Sequence, residues 1–277
     1  MCELLGMSAN VPTDICFSFT GFLHRGGGTG PHRDGWGIAF YEAGGYRDFR
    51  DPHPSVRSPI ARLITDYPIK SHIVISHIRQ ANVGEVRLAN THPFTREMWG
   101  RTWCYAHNGQ LGEWQELPLS FYRPVGDTDS EHAFCWLLAT LRERFPEAPG
   151  LTTCDATLSE RHAALWQLLH HLCETLRAKG VFNLLLADGE FLYTYCSTKL
   201  AHITRRAPFG SAELSDAELT VNFAEHTTRH DIVSVIATEP LTCNEAWVRM
   251  EPGELLVWRH GRIVARLVAE PSSSAGS

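Results

Sequence analysis

A cysteine stands directly behind the initiator methionine, and removal of Met1 would give Cys2 both a thiol and a free α-amine. The pKa of a thiol is near ~8.5 and that of an α-amine is ~7.7 to 8.0, so a neutral amine can accept the thiol proton at neutral pH. Cys2 would therefore combine a nucleophile with its own base. Many second residues exposed in this way have no function, so the rest of the chain must decide between the two interpretations.

Four further stretches of sequence are polar or rich in glycine where they meet predicted strand ends. They are HRGGG (24–28) with DGWG (34–37), HIRQA (77–81), HNG (107–109) and GDTDSE (126–131). An arginine after a strand is usually a solvated charge, Asn-Gly is usually a turn, and an aspartate at a helix start is usually a cap. Each stretch alone is therefore compatible with a structural role.

Short apolar runs predict strands at residues 36–41, 72–78, 102–107, 181–187, 191–196, 232–237, 255–258 and 263–268. Asp188-Gly189 and His260-Gly261 each separate two of these runs. Both dipeptides offer the positive φ angles that tight hairpin turns require. The two hairpins predict antiparallel pairing.

Helical periodicity is clearest over residues 56–67, 129–145 and 158–178, the last closed by Gly180. Thr128 and Glu131 have the spacing of a capping box, which puts Asp129 in a first helical turn, beside unpaired backbone N–H groups. Residues 146–158 are the predicted surface connection. The order of strands, helix, strands, long helices and a closing hairpin favours an α+β class over a doubly wound sheet.

The composition is typical of a globular protein, with 43% hydrophobic and 20% charged residues among 277. A net charge of -6 without a basic cluster argues against nucleic acid as a partner. No segment has the ~18 apolar residues that span a bilayer, and the amino terminus lacks a signal-peptide pattern. We therefore expect no membrane partner and a cytoplasmic location.

The eight cysteines and fifteen histidines form no recognisable metal motif, since no two cysteines are closer than 14 residues. A metal or redox protein is thus the weakest alternative, and we expect neither a metal site nor a cofactor. His77, His92 and His107 flank the polar stretches, and we expect structural roles for them because strand-end packing is common for histidine.

Together with Cys2, the polar stretches resemble the class II glutamine amidotransferases, members of the N-terminal nucleophile (Ntn) hydrolase superfamily. The similarity covers roughly the first 140 residues in the expected order, and HRGGG, GWGIAFY, HIRQAN, NTHPF and HNGQL are closest to stand-alone members of the class. The resemblance implies the Ntn hydrolase fold, a four-layer α/β/β/α sandwich of two antiparallel sheets between helical layers.

In that family an N-terminal cysteine attacks the side-chain amide of glutamine, releases ammonia and forms a γ-glutamyl thioester that water hydrolyses. The resemblance gives this role to Cys2 and requires that Met1 is removed. It also makes the Asn108 side chain and the Gly109 backbone N–H the donors of an oxyanion hole. Loss of one such donor typically lowers the rate by ~10² to 10³.

The resemblance also assigns substrate-binding residues. Arg79 would bind the α-carboxylate of the substrate through two parallel hydrogen bonds, which a lysine cannot reproduce. Asp129 would pair with the α-ammonium group, and Arg25 and Gly26 would help to shape the pocket near the cysteine.

Asn82 and Val83 stand where fused amidotransferases carry threonine and histidine, so the substrate is either glutamine or another γ-glutamyl compound. About 130 residues follow the last motif, enough to finish the fold but not to add a synthase domain. We expect one domain over residues 1–270, a flexible tail over residues 271–277, and an ammonia-accepting synthase, if any, on a separate chain. The alternative is a non-catalytic binding or scaffold protein that retains Met1 and only the ligand pocket.

Overall fold

The computed structural model describes residues 2–67, 69–81, 84–148 and 158–269. Its strands are β1 (Glu3–Thr13), β2 (Trp36–Glu42), β3 (Gly45–Asp51), β4 (Ser71–Ile78), β5 (Phe94–Met98), β6 (Arg101–Leu111), β7 (Gly180–Ala187), β8 (Leu192–Cys196), β9 (Ala201–Arg206), β10 (Ser211–Glu213), β11 (Thr220–Asn222), β12 (Ile232–Ala237), β13 (Val248–Arg249), β14 (Glu254–Arg259) and β15 (Arg262–Leu267). Its α-helices are α1 (Cys16–His24), α2 (Pro59–Asp66), α3 (Asp129–Arg144) and α4 (Leu158–Ala178). Short 3₁₀ turns lie between them.

Two large sheets form the centre of the fold. The first has seven strands in the order β13-β9-β12-β1-β4-β2-β3, and the second has six in the order β15-β14-β8-β7-β6-β5. Neighbouring strands run antiparallel throughout both sheets. A separate pair, β10 and β11, makes a small ribbon.

Three apolar interfaces hold four layers together. On the outer face of the first sheet, Phe19 of α1 packs on Trp36 with ring centroids 5.8 Å apart. Leu4 and Leu185 belong to the cluster between the sheets. On the outer face of the second sheet, Phe134 of α3 joins a cluster to which α4 also contributes. Each fully buried large side chain stabilises the fold by about 1.5–3 kcal/mol. The predicted α+β class and four-layer order are confirmed.

Most predicted elements match the structure within a few residues. The hairpins are confirmed, and His260 and Gly261 have φ angles of 52° and 70°, as a tight turn requires. α4 ends at Ala178 as expected, and Gly180, two residues later, opens β7, where a Cβ would lie 2.2 Å from the Gln110 oxygen. Residues 149–157 of the predicted connection and the tail at 271–277 lie outside the described residues.

No predicted strand corresponds to β1, the strand that follows Cys2. Residues 4–9 of β1 are all buried, because both faces of this central strand are covered. Such a strand lacks the alternation of apolar and polar residues that reveals a half-exposed strand. Among the described residues, no helix is both long and apolar enough to cross a membrane.

Candidate active site

Cys2 is held at one end of the first sheet by the pairing of β1 with β4. The register aligns Glu3 with Ile78, which brings Cys2 beside the residues that follow β4. The Gln80 backbone N–H donates to the Cys2 sulfur at 3.2 Å, and the thiol faces the Gln80 carbonyl oxygen at 3.4 Å. The backbone of the HIRQA stretch therefore fixes the position of the sulfur.

The Cys2 thiol is a weak acid in this environment. Burial raises its pKa to about 11, although the Gln80 N–H and the Arg79 guanidinium act in the opposite direction. At neutral pH the sulfur therefore carries its proton. A reaction that uses it as a nucleophile needs a base close by.

A small cavity beside the sulfur brings together four residues that the sequence analysis selected: Cys2, Arg79, Gly109 and Asp129. The other described residues around it are Gln80, Ala81, His92, His107, Gln110, Thr128 and Ser130. Its volume is about 20 Å³, which is room for roughly one water molecule. An amino acid is larger than this volume, so the cavity must widen before one binds.

Arg79 is buried at this cavity and bonded to backbone oxygens. Its Nη1 donates to the Glu85 oxygen at 3.0 Å and its Nη2 to the Gly84 oxygen at 3.1 Å. Burial lowers the pKa of the Arg79 guanidinium, while Cys2, Asp34, Asp127 and Asp129 oppose that effect. A guanidinium nevertheless remains charged in a protein.

Asp129 opens α3, as the capping pattern predicted. The Thr128 hydroxyl accepts from the Glu131 N–H at 3.2 Å, whereas the Glu131 carboxylate accepts from the Gly126 N–H at 2.6 Å. Asp129 itself accepts from the backbone N–H groups of Leu111 (2.9 Å) and Ser130 (2.8 Å). These bonds tie the helix start to the end of β6.

His107 makes a second link between β6 and α3. Its Nε2 lies 3.1 Å from the Val181 carbonyl oxygen and its Nδ1 lies 2.8 Å from the Ser130 hydroxyl. Because a carbonyl oxygen can only accept, Nε2 carries the ring proton and Nδ1 accepts from Ser130. The ring therefore helps to hold the residue next to Asp129.

His92 lines the cavity, and its ring packs on that of His77 with centroids 4.1 Å apart and the ring planes tilted by 35°. None of their four ring nitrogens makes a hydrogen bond within the described part of the chain. Burial holds the pKa of each ring well below its usual range, and the charge of Arg79 adds to the effect. Both rings are therefore neutral at pH 7.

Gly109 lies where no side chain fits. A Cβ would stand 1.8 Å from the Val181 oxygen and 2.7 Å from His107 Nε2, and the backbone has a φ of 157°. The side chain of the neighbouring Asn108 is buried, with Nδ2 3.4 Å from the Thr238 hydroxyl oxygen. Asn108 precedes Gly109 in the sequence but is not among the described residues that line the cavity.

Arg25 and Gly26 also lie outside the described lining of the cavity. Arg25 pairs with Glu3 at 3.2 Å and with Asp216 at 2.8 Å, and its Nη2 donates to the Pro240 oxygen at 2.7 Å. A Cβ at Gly26 would stand 1.8 Å from the Ser55 hydroxyl oxygen. Arg25 is therefore anchored to Glu3, the residue that follows Cys2, whereas Gly26 lies against Ser55.

Three residues that shape this site are not among the predicted site residues: Gln80, Ser130 and Thr238. Gln80 and Ser130 lie inside the stretches HIRQA and GDTDSE, so the motifs pointed to the correct segments but not to the atoms. Thr238 follows the apolar strand β12 and carries no recognisable signal.

The comparison with known families decides the relationship. Residues 1–276 match the family described as glutamine amidotransferases class-II. The protein YafJ of Escherichia coli (strain K12) is 60% identical over 259 residues, which are 94% of this chain and 96% of YafJ. This chain belongs to the class II glutamine amidotransferase family. That membership supports a function in glutamine amide transfer.

Solved structures agree with the fold of this amidotransferase. A predicted glutamine amidotransferase from Pseudomonas aeruginosa PA01 is 53% identical with a TM-score of 0.74, covering 95% of this chain and all of the other. Glutamine phosphoribosylpyrophosphate amidotransferase from B. subtilis has a TM-score of 0.58 at 15% identity, covering 96% of this chain and 49% of its own. The second likeness supports the fold alone.

Proposed function

We propose that the chain, once Met1 has been removed, is an N-terminal-cysteine amidohydrolase. Cys2 attacks the γ-amide carbon of glutamine or of a γ-glutamyl compound. The observation that supports this most is the grouping of the Cys2 sulfur, Arg79, Gly109 and Asp129 around one cavity. Nucleophile, cation, anion and a backbone donor are the parts that hydrolysis of an amino-acid amide needs.

The α-amine of Cys2 serves as the base. The raised thiol pKa means that the sulfur needs a proton acceptor, and the α-amine is on the same residue. The amine takes the thiol proton, through a water because the direct path is poorly aligned, while the sulfur bonds to the amide carbon. The proton then passes to the leaving nitrogen, and the C–N bond breaks to give ammonia or an amine. Water hydrolyses the thioester, releasing glutamate and restoring the thiol.

The negative charge of the tetrahedral intermediate falls on the former amide oxygen. The Asn108 carboxamide and the Gly109 N–H donate to it, and each such donor contributes about 3–4 kcal/mol. Arg79 binds the α-carboxylate of the substrate and Asp129 binds the α-ammonium group. Because the cavity has a volume of about 20 Å³ in the chain that retains Met1, it must widen before the substrate enters.

Two substrate classes fit this chemistry. Free glutamine yields ammonia for an acceptor, which would be a synthase on a separate chain. A γ-glutamyl conjugate yields an amine and needs no partner. The two classes share the glutamyl half that Arg79 and Asp129 recognise, so the leaving group distinguishes them.

The experiment measures glutamate release by protein whose intact mass demonstrates loss of Met1. Glutamine and γ-glutamyl dipeptides are compared as substrates, and Cys2→Ser is compared with Cys243→Ser, a change at an exposed cysteine. We expect Cys2→Ser to lower the rate by at least ~10³ and Cys243→Ser to leave it unchanged. Equal rates for the two variants would disprove the role of Cys2. Native protein that retains Met1 and binds glutamine without hydrolysis would instead be a binding module.

A further inference from the structure

Thr238 makes a two-point contact with β1, the strand that follows Cys2. Its hydroxyl oxygen accepts from the Leu4 N–H at 2.8 Å, and its own N–H donates to the Leu4 oxygen at 3.1 Å. Only 3% of Thr238 is exposed. Thr238 therefore fixes both backbone polar groups of the residue two positions after the nucleophile.

The same hydroxyl reaches Asn108 in the other sheet. Asn108 Nδ2 lies 3.4 Å from the Thr238 oxygen, a long contact, while the buried Asn108 Oδ1 has no partner among the described residues. Thr238 thus stands between β1 of the seven-stranded sheet and β6 of the six-stranded sheet. Thr238 therefore links β1, which follows Cys2, to β6, which contains Asn108.

The hydrogen-bond pattern favours the opposite orientation of the Asn108 amide. Because the Thr238 oxygen accepts from Leu4, its hydroxyl proton is available for donation, and it has no acceptor among the described groups. Rotation of the carboxamide by half a turn exchanges nitrogen and oxygen at almost no cost in shape. Thr238 then donates to Asn108 Oδ1, and the unpartnered oxygen is satisfied.

We propose that Thr238 is a positioning residue for amide transfer, because its hydroxyl holds the Asn108 carbonyl group and leaves the Asn108 N–H donors for the reacting oxygen. This role rests on the function proposed above. A carboxamide held in the other orientation would present a lone pair to the developing negative charge. Thr238 therefore acts on the rate of the chemical step rather than on substrate binding.

The kinetic test uses Thr238→Val, which keeps the shape and removes the hydroxyl, and Thr238→Ser, which keeps the hydroxyl. We expect Thr238→Val to lower kcat for glutamate release by ~10 to 10² with KM within about twofold, and Thr238→Ser to stay within about threefold of the parent. Thr242→Val is the matched control, since buried Thr242 bonds Glu245 and Trp247 instead. Its kcat should not change.

A double-mutant cycle with Asn108→Ala separates positioning from a merely structural role. If Thr238 acts through Asn108, adding Thr238→Val to Asn108→Ala lowers kcat by less than about twofold more. A full additional loss in that background, or a Thr238→Ser enzyme as slow as Thr238→Val, would overturn the proposal. The serine variant keeps the test valid should the valine variant fold poorly.

Neutron diffraction from deuterated, processed protein tests the inference without any turnover. Deuterium on the Thr238 hydroxyl directed at Asn108, with both amide deuterons on the other side, supports the assignment. Amide deuterons directed at Thr238 refute it. A protein with the first pattern and no glutamate release would contradict the proposed function but not the orientation of the amide.

Discussion

The guanidinium of Arg79 donates to the carbonyl oxygen of Glu85 at 3.0 Å, so a backbone group of its own loop occupies one of its donors. A second donor points at the Gly84 oxygen at 3.1 Å. A guanidinium has five N–H donors in a planar fork. A substrate carboxylate therefore shares this fork with the backbone carbonyls or replaces them, and in both cases the planar shape of the group matters.

Arg79→Lys should weaken substrate binding more than catalysis. A lysine keeps the charge but loses the paired hydrogen bonds to a carboxylate, so we expect KM for glutamine to rise by ~10- to 100-fold and kcat to fall less. Steady-state kinetics measure both values. Arg87→Lys is the control, because Arg87 pairs with Asp127 at 3.0 Å and does not line the cavity. A normal KM in Arg79→Lys would remove Arg79 from the substrate site.

Gly109→Ala should destabilise the fold as well as the site. The added Cβ would meet the Val181 oxygen at 1.8 Å, and backbone atoms cannot yield as a flexible side chain does. Overpacking of this kind costs about 1–3 kcal/mol or more, visible as a lower midpoint in urea unfolding. Gly100 also has a positive φ, 74°, but a Cβ added there would have no neighbour within 4 Å. Gly100→Ala should therefore cost about 1–2 kcal/mol or less of folding stability. Equal losses would mean that the backbone angle, not the clash, requires glycine.

The sequence predicted those parts of the fold whose signal is local. The β14–β15 hairpin has its turn residues in place, and β12 is an apolar run of the expected length, so both could be read directly. In contrast, β1 is buried on both faces and carries Gly6, and only its pairing with β4 and β12 makes it a strand. Its identity depends on residues far away in the chain.

The residues of the candidate site differ in the same respect, since some have a local sequence signal and others do not. Arg79 and Asp129 lie in stretches whose composition already marked them, and the structure brings both to the cavity. The role of Thr238 depends on long-range contacts. Its partners Leu4 and Asn108 are 234 and 130 residues away in the sequence. Nothing in a local pattern indicates which of several buried threonines lies between two sheets.

The buried pair His77 and His92 should make the fold sensitive to acid. The pKa of buried His77 is held well below its usual value, so below about pH 6.5 the unfolded chain binds a proton that the folded chain does not. Stability contributed by the neutral ring is present at pH 7 and is lost as the pH falls. His77→Phe should reduce the slope of unfolding free energy against pH by up to about 1.4 kcal/mol per pH unit.

Urea unfolding at pH 7.5 and pH 5.0 measures that slope. His72→Phe is the control, because His72 is only half-buried and its ring bonds the Ala9 oxygen at 3.0 Å. The His72 variant should keep the acid sensitivity of the parent. If His77→Phe keeps it as well, His77 does not cause it.

The reactivity of Cys2 should depend on whether Met1 is present. In the chain that retains Met1, burial raises the pKa of the thiol to about 11, so alkylation by iodoacetamide should be slow at pH 7.5 and accelerate towards pH 10. Removal of Met1 leaves an α-amine on Cys2 itself, which accepts the proton, and alkylation at pH 7.5 should then be at least ~10-fold faster. Peptide mass mapping follows Cys2 and the exposed Cys243 in the same sample, and the Cys243 rate should be equal in both forms. Identical Cys2 rates with and without Met1 would mean that the amine does not activate the sulfur, and a base from elsewhere in the cavity would have to be sought.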